Sequence, residues 1–170
     1  MQFSSQKGFT VLEFLVVLFI MTILLSIVLV SFSAARNRAR DDLRISGVQN
    51  IALALEQYYA VCRNYPPRLH LQDLQPCRTN SNGQQLGAFL SMLPPLPDDE
   101  EYRYAAFSLD MPPGIVLHCT HYHLGVRLQN ETHPILVERS ARNSMSNQLC
   151  QNSQAGFNGA DSGMYDMYRP

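Results

Sequence analysis

The chain has no tryptophan, a single lysine and few charges of either sign. Its 170 residues carry 13 basic and 14 acidic side chains, for a formal net charge of -1. A nucleic-acid binder draws affinity from basic groups that neutralise phosphates, and this balance supplies no broad basic surface for that purpose. Also missing are the short motifs around which catalysis is commonly built: there is no Gly-Xaa-Ser-Xaa-Gly elbow, no phosphate-binding loop and no His-Glu-Xaa-Xaa-His pair. The acidic run Asp98, Asp99, Glu100 and Glu101 reads as a solvated turn and not as a tuned carboxylate pair. The expectation is a non-enzyme. At about 100 to 200 residues per domain, the length allows one compact domain with an appendage and leaves no room for a long parallel-sheet enzyme.

What the chain does have is concentrated at its start. The one lysine, Lys7, stands directly before an apolar run, and from Phe14 to Ala35 there are 22 consecutive residues without a charge. Only Thr22, Ser26, Ser31 and Ser33 interrupt it in polarity. At about 1.5 Å per residue the run spans about 33 Å as a helix, enough to cross a hydrocarbon core of about 30 Å. A secretory signal peptide would want an apolar region of about 7 to 15 residues before its cleavage site. This run is longer, although Ser33, Ala34 and Ala35 do place small residues at its end.

Glu13 is out of place at the head of such a helix. A carboxylate deep in a bilayer costs about 2.5 to 3.5 kcal/mol and usually has a partner or a function. The plain reading is a side chain that snorkels to the headgroups. A sharper one starts from Lys7-Gly8-Phe9-Thr10: a cut after Gly8 would leave Phe9 with a positive amine four residues before Glu13, on the same helix face. The two charges could pair within one chain, or Glu13 of one subunit could neutralise the amine of the next, with apolar surroundings strengthening the attraction.

The segment Lys7-Gly8-Phe9-Thr10-Val11-Leu12-Glu13-Phe14, followed by the long apolar run, resembles the type IV pilin superfamily, which includes type IV pilins, type II secretion pseudopilins and competence pilins. The resemblance implies that a prepilin peptidase cleaves between Gly8 and Phe9 and methylates the Phe9 amine. It implies that Glu13, fifth in the mature chain, directs docking into a growing filament. Implied partners are further copies of this or related subunits, the peptidase, an inner-membrane assembly platform and its ATPase. The precursor would sit in the inner membrane with its head outside the cytoplasm, and the assembled filament would be periplasmic or extracellular. The basic residues count the other way, because Arg36, Arg38, Arg40 and Arg44 follow the span while only Lys7 and the initial amine precede it. The rival function is a monomeric membrane-anchored binding module, for which a carboxylate at Glu13 has no use.

Beyond the span, Leu43, Gly47, Val48, Ile51, Leu55, Tyr58 and Cys62 mark one apolar helix face. Asn64-Tyr65-Pro66-Pro67 ends the helix, since prolines lack a backbone donor and disfavour helix in the residue before them. One helix from about Phe9 to Arg63 is expected, apolar all round at first and on one side afterwards, so that its second half lies against a head domain. Gly47 marks a close approach or a bend, or is a glycine merely tolerated within the helix. Arg68 to Pro97 reads as a connecting loop with the turn signal Asn80-Ser81-Asn82-Gly83 and a short helix around Gln85 to Leu93. Tyr102 to Phe107, Ile115 to Cys119 and Tyr122 to Leu128 read as strands, the first bounded by Pro112-Pro113-Gly114. Tyr122, Leu124, Val126 and Leu128 alternate as a sheet with one buried face requires. The fold class is α+β: a long amino-terminal helix packed on a small antiparallel sheet head, pilin-like. Its divisions are a leader at 1–8, a membrane-spanning and polymerising half-helix at 9–35, an amphipathic half-helix at 36–64 and a head at 65–170. Tyr59, Tyr65 and Leu96-Pro97-Asp98 also resemble pilin and pseudopilin heads, more loosely and only as far as about residue 130.

Cys62, Cys77, Cys119 and Cys150 all follow the apolar run, and an even number in an exported domain favours disulfides. Three pairings are possible; nearest-in-sequence pairing would pin a loop to the helix end through Cys62 and Cys77, and the tail to the sheet through Cys119 and Cys150. Buried free thiols in a reducing compartment are the alternative, so cysteine state and topology stand or fall together. His118, Cys119, His121 and His123 cluster as the beginning of a zinc site would, but ordinary strand-surface histidines explain them as well. His133-Pro134 reads as a turn, and Asn130-Glu131-Thr132 fits a glycosylation sequon. Ser140 to Gly163, with Met145, Leu149 and Phe157 as its few large apolar groups, reads as an exposed loop. Asp161-Ser162-Gly163 with Asp166 could hold calcium through oxygen ligands, as the loop near the carboxyl end does in the major pseudopilins it resembles; the plain alternative is a solvated turn. No other cofactor is expected.

Overall fold

A single α-helix, α1, runs from Val11 to Cys62, and its two halves obey different rules. The computed structural model describes residues 9–109, 118–142 and 148–169. It divides into two compact units, Met1–Arg38 and Ala39–Pro170. In the first, every residue from 9 to 28 is exposed, and Val11–Val28 is long and apolar enough to cross a membrane. None of that window is covered by the chain itself, so its surface needs lipid or protein around it. The hydroxyls of Thr22 and Ser26 donate to the carbonyls of Phe19 and Ile23, at 2.8 and 2.7 Å. These polar interruptions are therefore satisfied within the helix and cost little in hydrocarbon.

In the second unit α1 is amphipathic. Val48, Ile51, Leu55, Tyr58 and Cys62 are fully buried, and they share a core with Tyr104, Tyr122, Leu124 and Val126 of the sheet. Leu43, expected on that face, is 59% exposed. It lies five residues before Val48, about 140° round the helix, and the inward positions of its turn belong to Asp41 and Arg44. Gly47 is a close approach and not a bend. Tyr102 packs directly on it, and a Cβ there would collide with the phenol oxygen. The helix ends at Arg63, whose φ of 58° turns the chain left-handed while its N–H still donates to Tyr59. Asn64 then secures the exit by donating from its side chain to the Pro76 carbonyl at 2.8 Å.

The sheet is antiparallel with order β3-β4-β5, formed by Arg103–Phe107, His121–Arg127 and Met164–Arg169. Ala105 faces His123, and Gly125 faces Asp166. A separate hairpin pairs β1, Leu74–Cys77, with β2, Asn80–Gln85. Several expectations are corrected here. The region from Arg68 to Pro97 is not all loop, because it holds that hairpin; the helix expected at Gln85 to Leu93 shrinks to a 3-10 turn at Leu86–Ala88. The carboxyl end, for which no element was expected, forms β5 directly after the turn at Asp161, Ser162 and Gly163. β4 is buried on both faces, not on alternate residues, because the segment after Glu138 covers the side away from α1. There Phe157 stacks on His123 with ring centres 3.9 Å apart, and Gly125 leaves the room that a Cβ would take from the Phe157 ring. Pro112-Pro113-Gly114, most of the strand expected at Ile115 to Cys119, and Met145 lie outside the described residues.

Asp41 and Arg44 are the polar part of this core. Asp41 accepts the backbone N–H groups of Gln129 and Asn130 at 2.7 and 2.9 Å and pairs with Arg44 at 3.5 Å. Arg44 donates to the carbonyls of Arg127 and Pro97 and reaches Asp98 at 3.4 Å. Both are almost fully buried, at 0% and 3% exposure. The pair thus holds two chain reversals, after β4 and at the 3-10 turn Pro97–Asp99, against α1. Removing Asp41 leaves two amides unsatisfied and the buried Arg44 with the half-exposed Asp98 as its remaining carboxylate. Asp41→Ala is expected to cost about 3 to 5 kcal/mol, read from the urea midpoint of the full chain in detergent by tyrosine fluorescence. A loss under about 1 kcal/mol would mean that water replaces the carboxylate.

Candidate functional site

Phe9 and Thr10 precede the helix, Phe9 at 73% exposure. Thr10 occupies the N-cap position and accepts, through its hydroxyl oxygen, the backbone N–H of Glu13 at 3.3 Å. Four amides at a helix start have no partner within the helix, and this bond satisfies one of them. Thr10-Val11-Leu12-Glu13 therefore has the spacing of a capping box, in which a Glu at the third helical position is also favoured by the helix dipole. The sequence reading treated Glu13 as an anomaly and missed this local reason for an acid there, although Thr-Xaa-Xaa-Glu was its visible signal. The helix, expected from about Phe9, begins two residues later at Val11 in the uncut chain; the pairing of a freed Phe9 amine with Glu13 concerns the cut chain. Lys7 and Gly8 lie outside the described residues.

Most of the remaining candidates are used within the head; the exception is His118, whose Nδ1 is buried without a hydrogen-bond partner among the described residues. Cys62 is bonded to Cys77 and Cys119 to Cys150. The backbone joins the two regions where the N–H of Tyr65 donates to the Cys119 carbonyl at 2.8 Å. His123 is not a strand-surface histidine: it is fully buried and its Nε2 lies 2.8 Å from Asp166 Oδ2. Asp166 in turn accepts the N–H of Ala141 at 2.9 Å, so this pair fastens the loop after β4 to the sheet. Thr120 bonds His121 Nδ1 at 2.7 Å, and His133 accepts the N–H of Ile135 as the cap of the 3-10 turn Pro134–Val137. Among the described residues no three His, Cys, Asp or Glu side chains gather as a metal site would require. In the loop considered for calcium, Asp161 accepts from the Asn158 amide at 2.7 Å, while the carbonyls of Asp161 and Met164 both accept from Arg139, at 3.1 and 3.2 Å. A guanidinium thus lies where the loop's carbonyl oxygens converge. Burial pushes the phenols of Tyr58 and Tyr102 up to about 12, so both remain protonated; Tyr58 donates to the Pro76 carbonyl at 3.0 Å.

Residues 3–29 match the family model described as the prokaryotic N-terminal methylation motif. This is the prepilin signature of type IV pilins and pseudopilins. The match takes in Gly8, Phe9, Thr10 and Glu13 and ends before the head begins. The motif points to a structural subunit whose precursor is anchored in a membrane by the apolar helix. No curated protein and no solved structure matches the chain.

Proposed function

We propose that the chain is a subunit of a type IV pilus or a type II secretion-type pseudopilus, cut between Gly8 and Phe9, methylated at Phe9 and built into the filament through its amino-terminal helix. The observation that carries this reading is the joining of the prepilin motif to a helix whose apolar surface over Val11–Val28 is wholly uncovered. In the membrane, lipid covers that surface; in a filament, the helices of other copies do. Glu13 then serves as the charge that answers the Phe9 amine of its own or a neighbouring copy. The peptidase, an inner-membrane platform protein and an ATPase are the partners this route requires.

The head lies outside the cytoplasm in this reading. Two disulfides suit an oxidising compartment. Two of the four arginines that count against this orientation have another reason to be there: Arg44 holds Asp41 and Asp98, and Arg40 pairs with Asp98 at 3.3 Å. The decisive measurement is the mass of the amino-terminal peptide of the native protein. A peptide beginning at Phe9 with one added methyl group is expected. A chain in the membrane that still begins at Met1 would fit an anchored monomeric module and overturn the proposal.

A further inference from the structure

Two adjoining depressions on the head, of about 620 and 390 Å³, share Glu100, Glu101, Tyr102 and Gln154 as a common wall. One is floored by Leu69, Leu93, Pro94, Pro95 and Leu96. The other opens toward Asp99. Together they make a groove that is apolar at one end and carries Asp99, Glu100 and Glu101 against the single basic residue Arg103 at the other, a net acidic lining. Among the described residues Asp99, Glu100 and Glu101 have no basic partner, whereas Asp98 beside them is filled by Arg40 and Arg44 of α1. The turn already takes arginines from this helix and has carboxylates to spare.

The same helix supplies the complement. Just before Arg40 it carries Phe32, Arg36 and Arg38, all exposed. The Arg36 guanidinium lies over the Phe32 ring, 5.4 Å from its centre, and neither Arg36 nor Arg38 has a carboxylate partner among the described residues. An apolar-then-cationic segment matches an apolar-then-acidic groove, and every copy carries both. We propose that the groove seats α1 of a second copy over the stretch from Phe32 to Arg38, with Phe32 on the leucine and proline floor, Arg36 on the same helix face against Glu100 and Glu101, and Arg38 reaching Asp99 from the other flank of the helix. The proposal rests on the filament reading and names one of its subunit contacts. Donor and acceptor surfaces are different parts of one chain, so the contact is heterologous and each added copy presents a fresh groove, as an open fibre requires. The apolar floor supplies area, and the charges fix register and exclude wrong partners.

The test is a charge swap in the full chain, expressed where it is processed and assembled, with the sheared filament fraction as readout. Arg36→Glu with Arg38→Glu, and separately Asp99→Arg with Glu100→Arg and Glu101→Arg, should each lower assembly about tenfold. Combining all five should restore it. The neutral variant Arg36→Gln with Arg38→Gln should give an intermediate loss, and oxidised disulfides in every variant should show that the head still folds on the correct side of the membrane. If either reversed set assembles like the unaltered chain, or if the combined set fails to recover while remaining folded, the contact is wrong although the filament reading stands. If the unaltered chain is never found in a filament, the filament reading fails first and this contact with it.

Discussion

Glu13→Gln is expected to lower incorporation into filaments as far as Glu13→Ala does, by at least about thirtyfold, which corresponds to about 2 kcal/mol for a desolvated charge pair that loses one member. The choice of glutamine separates the capping position that the structure shows for this residue from the charge pairing proposed for it. As the third helical residue after Thr10, Glu13 belongs to a capping box, and glutamine fills that position as well as glutamate. As the partner of a terminal amine, only the carboxylate serves. Thr10→Val supplies the opposite control, since it removes the bond from the Glu13 amide but leaves the charge. Its cost should stay near the about 1 kcal/mol of a lost N-cap, a fivefold effect or so. The measurement is the sheared filament fraction per processed subunit. Should the glutamine variant assemble normally while the valine variant does not, Glu13 is a helix cap and the electrostatic account of docking is wrong.

The amino-terminal part was legible because its signals are local. A charge-free run, a glycine before phenylalanine and an acid at fixed offset need no tertiary context. The head was legible only where period and punctuation agreed, as in β3, in β4 and at the prolines that follow α1. β5 was missed because Met164-Tyr165-Asp166-Met167-Tyr168 sets an acid in the middle of a short apolar stretch; its strand character depends on His123, 43 residues earlier, receiving that acid in a buried pair. The β1–β2 hairpin was missed because Asn80-Ser81-Asn82-Gly83 has turn composition throughout. It is held as strand by pairing with a segment bonded covalently to the end of α1. Arg44 was counted only among the arginines that follow the membrane span, since nothing local marks it and Asp41 as a buried ion pair. In each case the missing information was a partner distant in sequence, a paired charge or buried amide for β5 and Asp41 and a disulfide for the hairpin, which periodicity does not encode.

Cys119→Ser with Cys150→Ser should destabilise the head by about 3 to 4 kcal/mol, and removal of both disulfides by about 6 to 7, if loop-closure entropy dominates. The two loops, with sequence separations of 15 and 31, predict nearly equal values, but the structure predicts different consequences. Cys62–Cys77 ties α1 to a two-stranded hairpin, a motif of marginal stability alone, so its loss should loosen that hairpin locally. Cys119–Cys150 lies where Tyr65 meets Cys119 and where Cys150 donates to Ala106 at the outer edge of β3. Its loss should release that edge and lower the midpoint of the whole head. Because a domain of this size has about 5 to 15 kcal/mol in all, the fully reduced head sits near its unfolding limit. The check is urea unfolding of the full chain in detergent with and without reductant, alongside maleimide labelling of intact cells. All four thiols should resist labelling until reductant is added. A head found reduced, folded and as stable as its oxidised form would remove the energetic link between the cysteines and an extracytoplasmic site, and would leave the orientation of the chain to its arginines.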